Sequence, residues 1–146
     1  MRKQILFLIP LTVLFTLLQF SCSKVTKNEA YYQAVSRYVY AYTSGAIGRS
    51  DAIRVRFVEA AIGQDKVGGK VSADVFSINP RIPGDAVWEN DRTIKLQPTE
   101  PLTYGARYSG TVALDKLFGQ VPKIARVFEF EFSIRELAFE VVTDGL

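Results

Sequence analysis

Histidine is absent from this chain, and cysteine and tryptophan occur once each. Without histidine there is no Ser-His-Asp or Cys-His catalysis and no His-ligated metal. A lone cysteine makes neither an internal disulfide nor a zinc cluster. A Gly-rich phosphate loop is also missing: Val67-Gly68-Gly69-Lys70 has neither the spacing nor the Ser/Thr that such a loop needs. The 15 acidic residues form no recognisable catalytic pair, and Asp65, Asp74, Asp85, Asp91 and Asp115 are too scattered for a calcium site. The expectation is a protein that is not an enzyme and carries no cofactor and no metal.

Charge of one sign is scarce too. The 18 basic and 15 acidic residues leave +3, and without Arg2 and Lys3 the counts become 16 and 15. No basic stripe remains on the part that folds, so nucleic acid is not an expected partner. The chain of 146 residues has the length of one domain.

The first 21 residues read as an export signal. Arg2 and Lys3 precede an apolar stretch over Ile5 to Leu18, interrupted by Pro10, Thr12 and Thr16. The stretch is shorter than the roughly 20 residues of a spanning helix. Leu18-Gln19-Phe20-Ser21-Cys22 resembles a bacterial lipobox, although Gln19 and Phe20 stand where small or aliphatic residues are commoner. The resemblance implies lipidation at Cys22 and a membrane as partner through that anchor. The chain is then located in the cell envelope, facing the periplasm. Residues 22–35, beginning with polar Ser23 to Glu29, read as a tether.

From residue 36 the apolar pattern has period two. Ile53-Arg54-Val55-Arg56-Phe57 alternates strictly, and Val127 to Ile134 puts Phe128, Phe130, Phe132 and Ile134 on one face. Further runs cover Val35–Tyr42, Val75–Ile78, Ala86–Trp88, Thr93–Leu96 and Arg107–Leu114, with Gly, Pro, Asn and Asp between them. The pattern predicts an all-β fold, an immunoglobulin-like antiparallel β-sandwich of about seven strands over residues 36–136. Phe57, Phe76, Trp88, Leu96, Tyr108, Phe128, Phe130 and Phe132 are the candidate core. Each contributes about 1.5–3 kcal/mol when fully buried.

Four features invite a closer reading, structural and functional side by side. Tyr108, near a strand start after Gly105, fits a corner tyrosine whose hydroxyl turns back onto the backbone. Trp88, beside Glu89 to Arg92, either packs at a tight turn or lines a pocket. Tyr38, Tyr40 and Tyr42 share one parity and either pack on the sheet or form a partner-facing surface. Arg54 and Arg56 share one parity and either form a basic contact face or are simply the wet side of their strand, or guard an edge.

Several segments together carry a resemblance. Gly45 to Phe57 is similar to the loop and "I-R-V-x-F" strand that open a bacterial Ig-like domain. Phe76-Ser77-Ile78-Asn79-Pro80, Gly84, Trp88, Asp91-Arg92-Thr93-Ile94, Pro98-x-x-Pro101-Leu102, Gly105, Tyr108 and Phe128-x-Phe130-x-Phe132 follow in order. Over about residues 36 to 146 this resembles the first macroglobulin domain of alpha-2-macroglobulin-like lipoproteins of Bacteroidetes-type bacteria. The resemblance implies an anchoring and structural domain within a protease inhibitor. Its partners are the following domains of the same protein and, for the whole inhibitor, target proteases. The family's Cys-x-Glu-Gln thioester has no place here, since Cys22 is the only cysteine. The alternative is a stand-alone Ig-like envelope lipoprotein that binds a glycan or a protein. A fresh apolar run at Leu137-Ala138-Phe139-Glu140-Val141-Val142 is expected either to start a following domain over residues 137–146 or to cap the sheet.

Overall fold

The computed structural model describes residues 27–137. The export signal, Cys22 and all but Leu137 of the 137–146 segment lie outside them. The chain divides into two units, Met1–Ala30 and Tyr31–Leu146, and the sandwich belongs to the second. Among the described residues no helix is long and apolar enough to cross a membrane.

The elements in chain order are α1 (Lys27–Val35), β1 (Val39–Tyr42), β2 (Gly45–Ile47), β3 (Ile53–Phe57), β4 (Phe76–Asn79), β5 (Ala86–Asn90), β6 (Thr93–Leu96), β7 (Arg107–Ala113), α2 (Leu114–Leu117) and β8 (Val127–Ile134). Two four-stranded sheets form, in the orders β1-β3-β6-β5 and β2-β8-β7-β4. This is the expected immunoglobulin-like sandwich, with eight strands rather than about seven. The added strand is β2. It is three residues long and pairs with β8 in parallel, Gly45 opposite Phe132, too short to leave a periodic signal.

The strand that begins the sandwich changes sheets. β1 pairs antiparallel with β3, and β2, after Thr43 and Ser44, pairs with β8. Gly45 sits at the switch with φ +69°, a conformation that costs a glycine little and other residues more. Each sheet thus gains an edge strand from one short stretch of chain.

Alternation fills the space between the sheets. Ile53, Val55 and Phe57 of β3, Trp88 of β5 and Ile94 and Leu96 of β6 are buried. So are Phe76 of β4, Val112 of β7 and Phe128, Phe130, Phe132 and Ile134 of β8. Phe128, Phe130 and Phe132 stack in sequence, ring centroids 5.6 and 6.3 Å apart. Opposite Phe130 in the ladder stands Gly110, and the ring lies where a Cβ of that residue would be.

The N-terminal boundary differs from the expected tether. Residues 27–35 are helical, Val35 is buried and Tyr31 packs against the core. The tether therefore does not run to residue 35. The Tyr31 hydroxyl accepts a hydrogen bond from the Glu129 N–H at 3.0 Å and donates to the Val127 carbonyl at 3.3 Å. β2 pairs with β8 only over Phe132–Ile134, so Tyr31 caps backbone groups that β2 does not reach. Burial raises the Tyr31 pKa above its ordinary value, opposed in part by the bond from Glu129. A hydroxyl that stays protonated can both donate and accept.

One ion pair ties the loop before β4 to α2. Asp74 accepts from Lys116 and from Ser72, which hold its pKa at about 2, against an ordinary 3.8. A depressed carboxylate pKa favours the folded state above the ordinary value, and that contribution disappears as pH falls from about 4 towards 2. A carboxyl-detected NMR titration is expected to put the Asp74 midpoint near 2, moving upward in Lys116→Ala. A midpoint at the ordinary value in the unaltered chain contradicts the pair.

Candidate functional site

The outer face of the β1-β3-β6-β5 sheet carries an open groove of about 680 Å³. Arg54 and Arg56 of β3 lie along it, because strict alternation turns them away from the core that takes Ile53, Val55 and Phe57. Ala41, Tyr42 and Thr43 line it from the β1 end, and Glu89 to Thr93 from the β5–β6 turn.

The guanidinium of Arg54 grips Glu89 through two nitrogens, Nε at 3.1 Å and Nη2 at 3.2 Å. Lys95 Nζ stands 3.6 Å from the same carboxylate. The Arg54 hydrogen bond, with both cations' charge, depresses the Glu89 pKa against a smaller opposing effect of burial. Glu89 is therefore ionised and fixed. The tight turn is held by its own groups: the Arg92 N–H donates to Asn90 Oδ1 at 3.0 Å, and Arg92 Nε lies 3.5 Å from Asp91. Arg56 differs. Its guanidinium lies over the Tyr40 ring, 5.0 Å from the centroid, and among the described residues no carboxylate lies within ion-pair distance of it.

Trp88 and its neighbours separate cleanly. Trp88 faces inward, buried, 6.1 Å from the Phe57 ring. Glu89 to Arg92 line the groove without it. A bulge between Trp88 and Asn90 helps turn the two groups apart.

Tyr38, Tyr40 and Tyr42 do not share a face. A second bulge, between Val39 and Ala41, breaks their parity. Tyr38 precedes β1, packs on Phe118 at 5.4 Å and donates its hydroxyl to the Gln120 carbonyl at 2.8 Å. Tyr40 is 69% exposed. Tyr42 sets its ring edge-on to Phe128 at 4.9 Å and closes the gap between the sheets. Of the three, Tyr40 is the most exposed, with Arg56 over one face of its ring.

Tyr108 does not form the expected corner. It stacks on Phe132 at 5.3 Å, half-buried, and among the described residues its hydroxyl meets no backbone group. The crossover is held by main chain instead: the Gly105 N–H donates to Ile134 O at 3.1 Å and the Ile134 N–H to Ala106 O at 2.8 Å. Phe128, Phe130 and Phe132 lie in the core. Cys22 lies outside the described residues. No group of three or more Cys, Asp or Glu side chains able to hold a metal occurs among the described residues.

Sequence reasoning missed that Tyr31 caps β8, and it offered Glu89 to Arg92 as a pocket lining without joining their turn to Arg54 and Arg56. The Tyr31-Tyr32 pair inside an otherwise polar segment is the signal that could have found the first. The second leaves only an Asn-Asp turn signature.

No family model matches the chain, and neither does any curated protein. Solved structures similar to it include L,D-transpeptidases. One from Mycobacterium smegmatis is 16% identical, over 67% of this chain and 39% of that one, with a TM-score of 0.44. One from Mycobacterium tuberculosis H37Rv is 11% identical, over 67% and 40%, TM-score 0.41. L,D-transpeptidase 3 from Mycobacterium tuberculosis is 10% identical, over 67% and 37%, TM-score 0.41. The part matched is thus 37–40% of those chains. They are enzymes, and this corrects the expectation that the present chain is not one. Lack of histidine removes a group of mechanisms, not catalysis as such, so the exclusion is withdrawn. At these identities and TM-scores the likeness carries no activity across to this chain.

Proposed function

We propose that this chain is the anchoring and structural domain of an exported, alpha-2-macroglobulin-like protease inhibitor, held to a bacterial envelope membrane through Cys22. The observation that carries the reading is how soon the fold begins after that cysteine. Tyr31, nine positions beyond Cys22, is already bonded to β8 at Val127 and Glu129. Nine residues span at most about 30 Å. A lipid on Cys22 therefore keeps the start of the sandwich within that reach of the bilayer. Further support comes from the segments that carry the family resemblance. Ile53–Phe57, Trp88, Thr93–Ile94 and Phe128 to Phe132 are strand residues, suited to a domain whose work is to hold others in place. The following domains and the target proteases are the partners that this reading supplies.

The test has two arms. Expressed at full length in a Gram-negative host, the chain is expected to gain acyl mass at Cys22 and to enter the detergent phase on partitioning. Cys22→Ser is expected to keep its leader and carry no lipid. An unaltered chain cut at another residue, or found wholly in the aqueous phase, removes the anchor. The second arm takes the native protein, drawn from its membrane with an antibody to the sandwich. Trypsin incubated with it is expected to lose activity on casein and keep activity on a small amide. Unchanged casein hydrolysis removes the inhibitor.

A further inference from the structure

We propose that the groove over β3 is a binding site for a carboxylate-bearing glycan, an assignment that goes beyond anchoring and does not depend on it. Its lining carries three guanidiniums, Arg54, Arg56 and Arg92, against two carboxylates, Glu89 and Asp91, a net +1. Glu89 and Asp91 already have partners on the protein. Arg56 has a ring beneath it and, among the described residues, no carboxylate within ion-pair distance. Its N–H groups are therefore open to an incoming anion, with the Tyr40 ring 5.0 Å from the guanidinium carbon. A planar guanidinium binds a carboxylate through two parallel hydrogen bonds.

The rest of the lining suits a sugar. Thr43, Asn90 and the paired Glu89 supply hydroxyl, amide and carboxylate groups, which match the donors and acceptors of sugar hydroxyls. Tyr40, exposed and carrying the Arg56 guanidinium over one ring face, adds an aromatic surface next to Arg56. An acidic peptide fits less well. Peptides bound by β-proteins commonly add a strand to a sheet edge and drop side chains into apolar pockets. This groove lies on a sheet face over β3, which is paired on both sides by β1 and β6.

The probe is tetragalacturonate, with galactotetraose as its neutral counterpart, titrated into the full-length chain in detergent. Binding is followed by calorimetry and by backbone amide shifts. The charged oligosaccharide is expected to bind and to move the amides of Arg56, Ala41 and Asn90, with the neutral one at least about tenfold weaker. Arg56→Gln and Tyr40→Ala, both at exposed positions, are each expected to weaken binding roughly tenfold with the thermal midpoint unchanged. Glu131→Gln, on the outer face of the other sheet, is expected to leave binding as it was. Raising the salt should weaken the complex, since the site is open to solvent. The proposal is overturned by any of four results: equal affinity for the neutral sugar, no binding of either sugar, binding indifferent to Arg56→Gln, or a poly-glutamate peptide that moves the same amides where the uronate does not.

Discussion

Gly110→Ala is expected to destabilise the sandwich by about 2–3 kcal/mol and to lower its thermal midpoint by several degrees, although it adds one methyl group. Gly110 is buried in the middle of β7, opposite Phe130 of β8. A methyl there would overlap the Phe130 ring at Cζ and Cε1. The ring has nowhere to retreat, since it is stacked between Phe128 and Phe132 and packs on Phe76, centroids 6.5 Å apart. The overlap must be relieved by bending β7 away from β8 or by tilting three rings together. Urea unfolding measures the loss. The double variant Gly110→Ala/Phe130→Leu separates the cause. If the clash is with the ring, the second substitution costs less in the alanine background than alone. Independent, additive losses would place the cost in the backbone of β7 instead.

Phe128→Ala is expected to cost more, about 3–5 kcal/mol. The side chain is 1% exposed and joins Tyr42 at one sheet edge to the Phe130–Phe132 stack on the other side. Its removal opens a cavity where the sheets meet, and Tyr42 loses the surface it closes on. Domains of this size have about 5–15 kcal/mol of stability in all, so the variant should unfold at markedly lower urea with an unchanged slope. Tyr40→Ala, at an exposed ring on β1, is expected to stay within about 0.5 kcal/mol of the parent. A Phe128→Ala chain as stable as Tyr40→Ala would contradict the core drawn here.

Much of this architecture is legible in the residues themselves. The bounds of β3, β6 and β8 follow directly from period-two runs, and the same runs assign Phe57, Phe128 and Phe130 to the interior and Arg54 and Arg56 to solvent. α1 was not legible. Lys27 to Val35 lacks a clear apolar stripe, and its place is set by burial of Val35 and by Tyr31, whose hydroxyl meets β8 about a hundred positions away. The tyrosines of β1 misled for a related reason. Parity holds only while the ladder is regular, and one extra residue at the Val39–Ala41 bulge reverses it. The candidate site was half visible. Its arginines could be placed on a wet face, whereas the turn at Asn90 to Arg92 joins them only when β5 and β6 fold beside β3.

The sequence by itself therefore determined which strands form and which side of each is dry, because the alternation of side chains along an extended backbone is a local, covalent property. Tertiary structure alone decided which strands lie together, that the chain changes sheets between β1 and β2, that Phe130 covers Gly110, that Tyr31 closes the edge of β8, and that Arg56 faces an open groove with the Tyr40 ring beneath it. Those outcomes depend on register and on contacts between residues remote in sequence, where the competing pairings share the same local pattern and differ only in how well the buried faces fit.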